Sequence, residues 1–186
     1  MRRFSVLDLP LDGLKCITRT RTADSRGFLD KIFSADELLE AGWKGKICQV
    51  NHSYTEKKGS IRGMHYQRSP GAEMKLVSCI RGEVWDVAVD IRKNSPTFLN
   101  WHAQKLSSKN CSALLVPEGF AHGFQSLSDN TELIYCHSEE YSPNEDCGLN
   151  PFDPVLSIAW PESVKDVSDR DRRHALLGVD FAGLDL

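Results

Sequence analysis

With 186 residues, 40% of them hydrophobic and 26% charged, the chain is long enough to bury a core within one domain. Its formal net charge of -3 lacks the basic footprint of a nucleic-acid binder. No apolar run approaches the ~20 residues of a membrane-spanning helix. The basic start Met1-Arg2-Arg3-Phe4-Ser5 leads into Asp8 and Asp12 rather than an apolar segment, so no secretory signal is expected.

The first element signal is Ser34-Ala35-Asp36-Glu37, which reads as a capping box opening a short helix through Leu38-Leu39-Glu40-Ala41 to a stop at Gly42. Strands are then predicted at 46–54, 60–67, 74–80, 83–91, 97–106, 111–117, 122–127 and 131–141, separated by Gly, Pro, Asn and Ser. The clearest is 83–91, where Trp85, Val87, Val89 and Ile91 share one face and Val84, Asp86, Ala88 and Asp90 the other. A short helix is expected within the tail from Ser168 to Leu177. The sum is a mainly β chain folded as an antiparallel sandwich or barrel. Cys16, Cys48, Cys79, Cys111, Cys136 and Cys147 form no C-x-x-C pair and mostly lie in apolar stretches. They are expected to be free thiols in a reducing cytoplasm.

Period-two alternation also distributes chemistry. Gln49, Asn51 and Ser53 point one way, and Leu133, Tyr135, His137, Glu139 and Tyr141 share a face. Polar and aromatic residues recurring on strand faces describe either a ligand cavity or the solvent side of half-exposed strands. In Ile61-Arg62-Gly63-Met64-His65-Tyr66-Gln67, strict alternation puts Arg62 and His65 on opposite faces. Both reach one site only if Gly63 marks a bulge or a strand start.

The second rich segment, Pro117-Glu118-Gly119-Phe120-Ala121-His122, is similar to the second sequence motif of cupin barrels. A cupin metal site usually adds an H-x-H pair and a nearby Glu. Here Gln67 follows His65 and Glu73 is eight residues away, so a metal-free cupin fits better.

Over residues 24–171 the chain resembles the dTDP-4-dehydrorhamnose 3,5-epimerases. The resemblance lies in Asp24-Ser25-Arg26-Gly27-Phe28, Gln49-Val50-Asn51-His52-Ser53, Arg62-Gly63-Met64-His65-Tyr66-Gln67, Lys75-Leu76-Val77 and the run Gly82 to Arg92. It continues in Ser95-Pro96-Thr97, Pro117 to Phe124, Tyr135, Tyr141-Ser142-Pro143 and Ile158-Ala159-Trp160-Pro161.

That resemblance implies a cupin-type double-stranded β-helix (jelly roll) with short flanking helices. Residues 1–186 would form one domain, with an N-terminal arm 1–45 and a C-terminal tail 162–186 packed on the barrel. It further implies a cytoplasmic homodimer with no metal or organic cofactor, acting on a dTDP-linked sugar. His65 would be the general base, Asp171 its carboxylate partner, Tyr135 the acid on the opposite face, and Lys75 the group that stabilises the enolate. Arg62, Gln49, Asn51 and His122 would hold the nucleotide sugar, joined by Tyr141, Asp146 and Arg170, and Arg26 would reach the ligand across the dimer. The chemistry is coherent: a C–H beside a ketone yields to a side-chain base once a cation meets the developing oxyanion. Imidazole, with a reference pKa of ~6.5, suits the proton transfer.

The chain departs from the family pattern at Lys31 and Asp146, where Glu is expected, at Arg170, where Lys is common, and at Val50, where Asp is expected. A C3-only epimerase, a metal-dependent cupin and a non-catalytic sugar-binding cupin remain open at this point.

Overall fold

The computed structural model describes residues 3–186, so Met1 and Arg2, where the expected N-terminal arm begins, lie outside the described residues. The first elements are β1 (Phe4–Asp8), β2 (Lys15–Arg19), the hairpin β3 (Thr22–Asp24) and β4 (Gly27–Leu29), and helix α1 (Ala35–Glu40). Then come β5 (Gln49–Thr55), β6 (Ser60–Gln67), β7 (Lys75–Arg81) and β8 (Glu83–Asp90). The chain continues through β9 (Trp101–Ser107), β10 (Ser112–Val116), β11 (Phe120–Ser126) and β12 (Thr131–His137). It closes with β13 (Asp146–Gly148), β14 (Asp166–Val167) and α2 (Asp169–Arg173).

Two sheets face each other. One runs β1-β2-β10-β7-β12-β5, and the other β13-β6-β11-β8-β9 with β14 alongside β6. All neighbours are antiparallel except β14 on β6. This is the jelly-roll arrangement, with each sheet drawing strands from distant parts of the chain.

Three apolar layers hold it together. Between the sheets, Leu14, Val77, Val84, Ala88, Leu114, Phe124 and Leu133 make a dry core. Outside the first sheet, Leu38 of α1 and Trp43 cover Ile17, Leu76 and Leu115. Outside the second, Leu177, Phe181 and Leu184 of the tail cover Val87, Val89 and Ile91. Strand β8 is therefore buried on both faces: Trp85, Val87 and Val89 serve one, and on the other Val84 and Ala88 alternate with Asp86 and Asp90, which are paired with His122 and Arg92. Each fully buried aliphatic side chain contributes roughly 1.5–3 kcal/mol.

Several sequence expectations need correction. The capping box does not form: Ser34 makes no side-chain cap bond. Its Glu37 instead accepts the backbone N–H groups of Arg3 and Phe4 at 2.6 and 3.0 Å, tying the first strand to the helix. Strands β1 to β4 were not foreseen, and β1 and β2 extend the first sheet through β10. The strand expected at 97–106 starts at Trp101, because Ser95 to Asn100 fold into successive turns. The strand expected at 131–141 ends at His137, where Ser138 turns aside to bond Met74. The tail helix forms at Asp169–Arg173, with the Ser168 hydroxyl accepting the Asp171 N–H at 3.0 Å. All six cysteines are free.

Candidate active site

The apolar core fills only part of the space between the sheets. The rest is a cavity of about 870 Å³, walled by β5, β7 and β12 on one side and by β6 and β11 on the other. Strand β6 reaches it through a bulge. His65 lies opposite His122 and Arg62 opposite Phe124, so β6 spends one residue more than β11 between these pairs. Gly63 takes up the excess at φ +128°, and a Cβ there would stand 2.5 Å from the Gly123 Cα. The shift of one residue turns both Arg62 and His65 toward the cavity.

His65 Nε2 bonds Asp171 Oδ1 at 2.7 Å, and the Gly63 amide donates to Asp171 Oδ2 at 3.1 Å. Burial works to raise the Asp171 carboxyl. The His65 hydrogen bond and charge, the Gly63 amide and the Ser168 hydroxyl overcome it and hold the group below the usual carboxylate range. An ionised carboxylate can only accept, so the proton sits on Nε2 and the lone pair on Nδ1.

Tyr135 comes from the opposite sheet, its hydroxyl 3.3 Å from Ser53 Oγ. Withdrawal from water pushes its pKa well up despite the Ser53 contact, so the phenol keeps its proton. Lys75 Nζ lies 3.2 Å from Glu73 Oε1 and donates to the His65 carbonyl at 3.3 Å. The other Glu73 oxygen accepts from His137 Nδ1 at 2.7 Å. Burial would raise Glu73, but His137 and Lys75 hold it below its ordinary range.

The remaining expected residues line the same cavity, with one exception. Arg62 is braced by the Thr55 hydroxyl at 3.1 Å and the Tyr54 carbonyl at 2.9 Å. Gln49 Oε1 accepts the Tyr141 N–H, and Asn51 Nδ2 lies 3.4 Å from His137 Nε2. His122 Nε2 meets both oxygens of Asp86, at 3.0 and 3.1 Å. Asp146 Oδ2 accepts from the Tyr141 hydroxyl and from Arg170, at 2.9 and 2.6 Å.

The exception is Arg26. It stands 88% exposed on the β3–β4 hairpin, paired with Asp24, away from the cavity of its own chain. Lys31 is likewise off the cavity and pairs with Glu37 at 3.3 Å. Glu139, expected on the cavity face, does not line it, because the strand has already ended.

Sequence reading missed the site roles of five residues. Asp86 is visible in hindsight as one of two acids, with Asp90, on a buried face, where each requires a partner. Ser53 was placed on a face but not next to Tyr135. The Glu73–His137 pair joins residues 64 apart and carries no local signal. His174 follows α2 and lies beside His65, with ring centroids 6.4 Å apart. Burial and the neighbouring His65 charge hold its pKa below the ordinary imidazole value.

A base held by a carboxylate on one sheet, a protonated phenol on the other and an ammonium bonded to the base's own carbonyl suit removal of a proton from one face of a carbon acid and return of one to the other.

Comparison with known proteins agrees with that chemistry. A family model described as dTDP-4-dehydrorhamnose 3,5-epimerase matches residues 8–178. The dTDP-4-dehydrorhamnose 3,5-epimerase of Shigella flexneri is 46% identical over 149 residues, 80% of this chain and 82% of that protein. Among solved structures, the dTDP-4-dehydrorhamnose 3,5-epimerase of Bacillus anthracis, with TDP and PPi bound, superposes with a TM-score of 0.90. It is 38% identical and is matched over 94% of this chain and 99% of that one. The dTDP-6-deoxy-D-glucose-3,5-epimerase of Legionella pneumophila, in complex with dTDP-4-keto-L-rhamnose, also gives 0.90. There the identity is 36%, over 98% of this chain and 99% of that one.

Proposed function

The chain belongs to the dTDP-4-dehydrorhamnose 3,5-epimerase family, and from that premise we propose that its cavity inverts C3 and C5 of a dTDP-linked 4-keto-6-deoxyhexose. The observation that carries the assignment of roles is the His65–Asp171 pair at 2.7 Å, facing a cavity whose opposite wall holds Tyr135.

His65 Nδ1 takes the proton from the carbon beside the keto group. Electrons from that C–H bond move into the C–C bond and onto the 4-keto oxygen, and the Lys75 ammonium stabilises the resulting enolate. Asp171 offsets the charge on the imidazolium. Tyr135 then delivers its hydroxyl proton to the other face of the carbon, inverting it, and proton exchange restores both groups. The 4-keto group acidifies C3 and C5 alike, so one set of residues serves both centres. Neither step changes an oxidation state, and the proposal calls on no cofactor.

Arg62, Gln49, Asn51 and His122 hold the nucleotide sugar, and Tyr141, Asp146 and Arg170 form its rim. The chain works as a single unit in the cytoplasm and as a homodimer in which Arg26 of one copy reaches the ligand of the other. The 88% exposure of Arg26 and the 62% and 71% exposure of neighbouring Phe28 and Leu29 support that placement.

The test is incubation with dTDP-4-keto-6-deoxyglucose in deuterium oxide, followed by NMR. Deuterium at C3 and C5 is the expected result, and deuterium at C3 alone would make the protein a single-centre epimerase. No incorporation at either carbon by folded protein would sink the proposal.

A further inference from the structure

Gly148 of β13 is paired with His65 of β6, so the side chains of both positions rise on the same side of the sheet. Gly148 has none, and the His174 ring occupies the space its Cβ would take. The main chain there is pinned by Asn150, whose Nδ2 donates to the carbonyls of Arg172 and His174, each at 3.1 Å. A second imidazole is thereby laid beside the His65–Asp171 pair. One donor atom from each of His65, Asp171 and His174 lies within 4.8 Å of the other two. His174 Nε2 is buried and makes no hydrogen bond, which leaves that donor atom without another claim on it.

We propose that His65, Asp171 and His174 form a site for a divalent transition metal, Zn²⁺ by the nature of its donors, whose occupancy switches the enzyme off. Two imidazoles and one carboxylate with an open fourth position are a zinc donor set. Tetrahedral zinc places such donors ~3.4 Å apart, given bonds of about 2.0–2.1 Å, so side-chain shifts of about 1 Å close the site. His65 is 35% exposed at the cavity, which leaves the ion a route in.

The mode of inhibition follows from the tautomer. In the metal-free enzyme Asp171 keeps the proton on Nε2 and the lone pair on Nδ1. A metal on Nε2 takes the lone pair there and drives the proton to Nδ1, the atom that must accept the substrate proton. The metal need not block the cavity, because it inverts the base. This inhibitory part rests on His65 being the base.

The experiment has two readouts on reduced wild-type protein and on His174→Ala and His174→Gln. Titration with Co²⁺ followed by visible absorption reads binding without any reaction. Deuterium wash-in to dTDP-4-keto-6-deoxyglucose, with ZnCl₂ and then EDTA, reads inhibition. The expected result is one tetrahedral Co²⁺ per wild-type chain and loss of wash-in with zinc, restored by EDTA. Both variants should keep the metal-free wash-in rate, and half-inhibition should need at least about tenfold more zinc. Equal zinc sensitivity in His174→Ala would place the inhibitory metal away from this three-residue site and overturn the proposal. So would absence of Co²⁺ binding, or His174-dependent binding that leaves wash-in unchanged. If metal-free wild-type protein shows no wash-in at all, the epimerase reading fails, while the cobalt titration still judges the site.

Discussion

Asp171→Asn probes the proposed catalytic pair, His65 and Asp171, at its most sensitive point. The two oxygens of Asp171 face different donors, His65 Nε2 at 2.7 Å and the Gly63 amide at 3.1 Å. A backbone N–H cannot become an acceptor, so the asparagine carbonyl is drawn to Gly63 and its NH₂ group is turned on His65. A donor facing Nε2 then moves the ring proton to Nδ1, where the base must be empty. In a Ser-His-Asp triad the same inversion costs about 10,000-fold, or about 5.4 kcal/mol. Independently, removing a carboxylate ~4 Å from an imidazolium costs about 4 kcal/mol at an effective dielectric of 20, about 1,000-fold. The two effects overlap, so deuterium wash-in should fall about 1,000- to 10,000-fold. Asp171→Ala leaves both tautomers available and should be the less impaired of the two. Wash-in by NMR, alongside thermal melts to confirm folding, checks both. An Asn variant within tenfold of wild type, or one more active than the Ala variant, would refute the tautomer argument.

Three further outcomes follow from the geometry. Tyr135→Phe should lower epimer formation by at least about 100-fold while wash-in with retained configuration continues, because His65 still works on its own face; NMR separates the two. Gly63→Ala should cost at least ~2 kcal/mol in chemical denaturation, since φ +128° and the 2.5 Å approach to Gly123 leave a methyl group no room. The acid limb of stability is also set by this site. Asp171 and Glu73 are both held below their unfolded values, so their contribution is present above about pH 4 and is lost as pH falls through the folded values. Melting temperatures recorded against pH should therefore drop more shallowly below about pH 4 in Asp171→Asn than in wild type, and identical slopes would contradict the assignment.

The parts of this fold that could be read from sequence are those written locally. Strand β6 was placed at its observed limits, 60–67, because turn residues bracket it. The bulge was legible because only a glycine irregularity reconciles Arg62 with His65. Strand β1 was missed because four of its five residues are exposed and it has no buried alternation, its place being set by pairing with β2. The capping box failed because Glu37 met a better claim from the Arg3 and Phe4 amides, 34 and 33 residues away. The site shows the same division. His65, Lys75 and Tyr135 sit in recognisable segments, whereas partners such as Ser53 for Tyr135 and Asp171 for His65 are distant in sequence. Asp171 lies 106 residues from His65, and His174 reaches it only because the strand opposite offers a glycine.

The dry core between the sheets has a kinetic consequence. Phe124 and Tyr135 belong to it or pack against it while also lining the cavity. At that end the cavity is closed by packed side chains, and a sugar that reaches it must turn back to leave. A sugar inverted at one carbon has no forward exit. It waits beside the same base and acid until it either escapes or gives up its second proton. How many centres are inverted per visit is then a race between release and a repeated abstraction, set by how firmly the mouth grips the nucleotide while the sugar turns within.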